Sequence, residues 1–170
     1  MKILLLLTLF PFFSNATITP PLLLKSVNEI GVHKAILEIS KEDWKNSVIN
    51  GISSGDSSWL SLVPLLAVGA GPKYAAMLED SLSNALTTNT KETLHILNII
   101  DRNQYPYMIG SDIVCTLPFD QSKNAIYNYY QRTHAALKKI TPEGDKCLSI
   151  LDSTMDEFKN NKTKIYHEYP

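Results

Sequence analysis

Apolar residues recur through the middle of this chain at spacings of three and four, the period of a helix with one buried face. Between Ser54 and Ile100 that rhythm occurs three times, with turn residues between the runs. Trp59, Leu62, Val63 and Leu66 form the first stripe, and Asp56 or Ser57 stands where a helix start needs a side-chain acceptor. Gly69-Ala70-Gly71 ends it, and Pro72 can open the second helix at a position where a missing N–H has no cost. That second helix, running to Leu86, aligns Ala75, Leu78, Leu82, Ala85 and Leu86, with Glu79, Asp80 and Asn84 expected on the solvated side. Asn89 followed by Glu92 has the spacing of a capping box ahead of Leu94, Leu97 and Ile100. Helices this short are unstable alone in water, so the pattern predicts that they pack on one another.

The flanking chain reads the same way. Residues 17–24 contain Pro20-Pro21 and suggest an extended lead-in, followed by a helix over 26–39 weakened by Gly31. Ser40-Lys41-Glu42-Asp43 has a Ser-x-x-Asp start, and the next helix spaces Trp44, Val48 and Ile52 by fours. Residues 101–119 break the rhythm at Tyr105-Pro106-Tyr107, Gly110 and Pro118, with Ile113, Val114 and Leu117 expected to turn inward. A long helix over 120–140 carries Ile126, Tyr129, Tyr130, Thr133, Leu137 and Ile140 on its inner side. Thr141-Pro142-Glu143 then begins a last helix bearing Cys147, Leu148, Leu151, Met155 and Phe158, and the polar stretch 159–170 is expected to fray. Alternation of period two is scarce. The prediction is an all-α, single-domain bundle of about six to seven short helices over residues 17–170.

The first sixteen residues read differently from the rest. Lys2, the apolar run Ile3–Phe13 and the small residues Ser14-Asn15-Ala16 make a secretory signal, too short to span a bilayer as a helix. Its removal would leave about 154 residues, one domain's worth, with 15 basic against 17 acidic side chains. Lysine and glutamate are intermixed rather than blocked, which argues against a nucleic-acid surface. An exported chain meets an oxidising compartment, where the two cysteines, Cys115 and Cys147, have one possible pairing and a disulfide is expected. The competing role, a catalytic thiol with His95 or His134 as base, lacks a neighbouring cation or helix N-terminus to lower the Cys115 pKa. His33, His95, His134 and His167 contain no His-x-x-x-His pair, so no metal or other cofactor is expected. The tyrosines at 127, 129 and 130 read as packing material, and no convergent catalytic group stands out.

The run SGDSSWLSLVPLLAVGA, the helix ending SNALTTNT, and LHILN together resemble the amidase-immunity proteins of type VI secretion systems, the fourth amidase class in particular. Cys115-Thr116-Leu117-Pro118 and Cys147-Leu148 fit the same pattern, and the likeness extends from Trp44 to Leu151. What the resemblance implies is a periplasmic, non-enzymatic homodimer that occludes a papain-like Cys-His peptidoglycan amidase. The alternative is a periplasmic small-ligand carrier or an enzyme. Blocking a narrow catalytic groove requires a projecting segment, and residues 101–110 are the expected one. Asp101, Asn103, Gln104, Tyr105 and Tyr107 would supply its partner contacts. The small and apolar face of Ala75, Leu78 and Leu82 is the expected surface for a second copy or a partner.

Overall fold

The computed structural model describes residues 17–168, with side chains described through residue 160; the expected signal at residues 1–16 lies outside this range. About three-quarters of the described residues are helical, and none is in a strand. Helix α1 (Pro20–Ile30) begins at the two prolines rather than after them. Their fixed φ suits a first turn, and the N–H groups they lack have no acceptor there. Gly31, at φ 84°, separates α1 from α2 (Val32–Glu38), so the single helix expected over 26–39 is divided at its weakest residue.

Ser40 caps α3 (Lys41–Asp43), its hydroxyl accepting the Asp43 N–H at 3.0 Å. The helix widens through a π-helical stretch (Trp44–Ile49) and tightens again in α4 (Asn50–Ser53). This winding buries Trp44 and Val48 and sets the Trp44 ring edge-on to Tyr74, with centroids 4.7 Å apart. The Asp56 carboxylate caps α5 (Ser57–Leu60), accepting from the N–H groups of Ser58 at 2.8 Å and Trp59 at 3.3 Å. A turn at Ser61-Leu62 separates it from α6 (Val63–Gly69), because Pro64 cannot donate to the preceding turn.

Helix α7 (Pro72–Thr88) is the central element: α4, α8 (Thr90–Asn103), α9 (Ser111–Val114) and α10 (Lys123–Leu137) all pack on it. Asn89 does not cap α8. Its side-chain amide donates to Gly55 O at 2.9 Å and to Ser57 Oγ at 3.2 Å, tying the α7–α8 junction to the turn before α5. The Pro-first start expected at 142 is part of a turn, and α11 begins later (Asp145–Glu168). Gly144 is required in that turn, because a Cβ there would lie 2.7 Å from Leu137 O and 2.8 Å from Ile140 O. Helix α11 continues to Glu168 instead of ending near Lys159.

Ala75, Leu78 and Leu82 have 0% exposure, as do Ala85 and Leu86. The stripe expected to meet a second copy or a partner is therefore the centre of the core. Its small residues admit the surrounding helices, leaving no surface for another chain.

Candidate functional site

Between α8 and α10 the chain leaves helical geometry and is fastened from several sides. Gln104, in the left-handed region at φ 49°, ends α8, its N–H still donating to Ile100 O at 3.2 Å. Residues 105–110 then turn back to α9. The Glu79 side chain comes up from α7 beneath this turn, and its Oε1 accepts the N–H groups of both Ile109 and Gly110, the latter at 2.8 Å. One turn further, Asp101 Oδ1 accepts the Ser111 N–H at 2.9 Å while Oδ2 accepts the Ser111 hydroxyl at 2.7 Å. Lys146 of α11 completes this group, its Nζ 2.7 Å from Asp101 Oδ2 and 3.7 Å from Asp112 Oδ1. Gly110 has to be glycine: it sits at φ 77°, and a Cβ there would approach Asp101 Oδ1 to 2.2 Å.

The downstream end is fastened covalently. Cys115 and Cys147 form a disulfide, both sulfurs buried, joining the end of α9 to α11 across 32 residues. No free cysteine remains, so a catalytic thiol at Cys115 is ruled out in this form of the chain. A disulfide is the bond of an oxidising compartment. Ser83 Oγ donates to Val114 O at 2.9 Å, and Tyr129 Oη donates to Ser83 O at 3.2 Å, linking α7, α9 and α10. Burial pushes the Tyr129 hydroxyl up to about 12.

With the backbone held this way, four large apolar side chains remain in solvent. Tyr107 is 53% exposed, Ile109 63%, Ile113 42% and Phe119 54%, all within thirteen consecutive residues. Beside them a cleft of about 370 Å³ separates Glu79, Asp80 and Ser83 of α7 from Ile113 and residues 116–121. A second cleft, of about 460 Å³, lies on the other side, between α8 and residues 140–147, and includes the Asp101–Lys146 pair and His95.

The sequence-derived site residues fare unevenly. Asp101 and Asn103 belong to the last turn of α8, not to a free segment. Asp101 is engaged by Ser111 and Lys146, so its main role here is to brace the segment. Asn103 turns its amide back on Ile99 O at 2.8 Å. Gln104 is the helix terminator. Tyr105 packs against the core, whereas Tyr107 projects as expected. Val114 and Leu117 turn inward, but Ile113 does not, because α9 is a single turn whose inner face is taken by Ser111, Val114 and Cys115. Glu79, expected in solvent, is 7% exposed. Its signal was present in the spacing: 75, 79, 82 and 86 form one i, i+4, i+7, i+11 line, so Glu79 lies on the buried stripe itself. His95 is exposed. Among the described residues no group of three or more His, Cys, Asp or Glu side chains is placed to hold a metal ion. Nor is any helix among them long and apolar enough to cross a membrane.

The electrostatics of the two carboxylates differ in sign. Burial raises the Glu79 pKa, against the opposing effect of the Gly110 and Ile109 N–H groups, and the charge of Asp80 adds to the rise. Burial acts in the same direction on Asp101, but the bonds from Lys146 and Ser111 together outweigh it and hold that carboxyl below its ordinary 3.8. A carboxyl whose pKa is lower in the folded chain stabilises the fold above its unfolded value, and the contribution is lost as pH falls through the folded one. Asp101→Asn is therefore expected to cost about 1–3 kcal/mol at neutral pH, the worth of charge-assisted hydrogen bonds. The gap to wild type should narrow once pH drops below 3.8. Urea unfolding of both chains at neutral and at acid pH measures it, and a gap that does not change with pH would remove the charge from the explanation.

No protein-family model matches this chain, nor does any curated protein or any solved structure. Fold and geometry define a class: an all-α domain with one disulfide and a braced, apolar exposed segment between α8 and α10.

Proposed function

We propose that this chain is an immunity protein of the periplasm, binding and occluding a peptidoglycan amidase effector of a type VI secretion system. The partner is a papain-like Cys-His enzyme, and the chain itself performs no catalysis. The observation that carries the reading is the set Tyr107, Ile109, Ile113 and Phe119, exposed on a segment held by a disulfide, Glu79 and Asp101. Large apolar side chains grouped in solvent are the usual mark of a protein-binding surface. A segment already fixed before binding loses little conformational entropy when it docks, which favours insertion into a groove. The disulfide suits a chain that works after export.

Co-purification with a candidate small exported Cys-His amidase tests the function. A Tyr107→Ala, Ile109→Ala double variant tests the segment. The variant should keep its helical content, because neither side chain is in the core. Binding should weaken by about 2–4 kcal/mol, the range of interface hot spots. A folded variant with wild-type affinity would move the binding surface elsewhere, and failure of wild type to retain any amidase would overturn the function.

A further inference from the structure

Glu79 is an odd residue to find on the buried stripe of α7. It is 7% exposed, and no cation among the described residues pairs with it. Burying a carboxylate without a counter-charge is costly, and a neutral side chain that kept the acceptor would avoid that cost. Its visible partners are two adjacent backbone N–H groups, Ile109 and Gly110, in the segment that follows Tyr107. One oxygen accepting two consecutive N–H groups fixes the orientation of both peptide planes at once. Those planes decide which way the exposed Ile109 side chain points, and they set the turn that Gly110 makes at φ 77°. The carboxylate is thus aimed at the segment's backbone from α7, in the wall of the cleft of about 370 Å³.

We propose that Glu79 is a positioning residue: it presets the 105–110 turn so that Tyr107 and Ile109 stand out in one fixed arrangement, and it is retained for that presentation at the expense of stability. Its consequence for binding rests on the immunity reading, whereas the presetting itself does not.

Two substitutions separate the parts. Glu79→Gln keeps an acceptor at the same place and removes the charge; Glu79→Ala removes both. Amide hydrogen exchange read residue by residue on the full chain follows the N–H groups of Ile109 and Gly110 directly. In Glu79→Ala their protection should fall by roughly tenfold, with the amides of α7 and α10 unchanged, as expected for loss of one shared acceptor. Glu79→Gln should restore that protection and melt at the wild-type temperature or above it. With the co-purified amidase, Glu79→Ala should bind roughly tenfold more weakly and Glu79→Gln as wild type.

Unchanged protection of Ile109 and Gly110 in the Ala variant would overturn the proposal, as would failure of Gln to rescue it. Loosened amides with wild-type affinity would overturn the link from positioning to binding. If wild type retains no amidase, the immunity function falls, and the exchange data still decide whether Glu79 sets the turn.

Discussion

A chain lacking the Cys115–Cys147 bond is expected to fold but to be markedly less stable than wild type. The bond closes 32 residues. In the chain-entropy account that closure is worth about 4 kcal/mol, by restricting the unfolded ensemble. For a domain of this size each kcal/mol moves the melting temperature by roughly 2–4 °C, so a fall of roughly 8–16 °C is expected. Cys115→Ala with Cys147→Ala is the better comparison, since a serine pair would bury two hydroxyls where both sulfurs are now enclosed. The loss should also have a location. The bond anchors the end of α9 to α11, so hydrogen exchange should quicken first between Gln104 and Ser122, before the α7 core loosens. Wild type treated with reductant, its thiols counted by mass after alkylation, provides the control. Two freed thiols with an unchanged melting temperature would contradict the expectation.

Leu82→Ala is expected to cost about 2–5 kcal/mol, the range for a fully buried leucine whose surroundings cannot collapse into the space. The residue is 0% exposed at the middle of α7, within the core that α4, α8 and α10 share with that helix. This result also distinguishes two roles for the stripe. On a docking face, truncating Leu82 would weaken association and leave folding alone. In the core it should lower the denaturant midpoint and leave the exposed segment's contacts with a partner unaltered once folded. Chemical denaturation and sedimentation of the same sample separate the two outcomes. A stable variant with altered assembly would return α7 to the surface.

The residues that misled share a cause. Glu79 and Asp101 carry charges, and a charged side chain on a short helix is ordinarily solvated. Each is instead matched to N–H groups some 30 and 10 positions away in sequence, on a turn whose path no local pattern specifies. Tyr105 and Tyr107 look alike in the sequence, yet one packs on the core and the other projects. Which of two neighbouring aromatics is covered depends on the direction in which the chain leaves Gln104. That direction follows from a left-handed residue, which no pattern marks, and from Glu79, whose burial the spacing carries but whose backbone partners it does not.

The period of the apolar positions by itself determined the all-α class, the buried stripe of α7 and the loss of helical rhythm between α8 and α10. The local chemistry of Asp56 and Ser40 determined two helix starts, and an even pair of cysteines determined the disulfide. These features depend on contacts within a few residues, or on a pairing with a single solution. Only the tertiary structure decided that the small-residue stripe is sealed by other helices, that Ile113 faces outward, and that one buried and one half-buried carboxylate hold the exposed segment. The reason is physical: helical periodicity reports that a face must leave water, but the element that covers it, and the backbone that borrows its charge, come from distant parts of the chain.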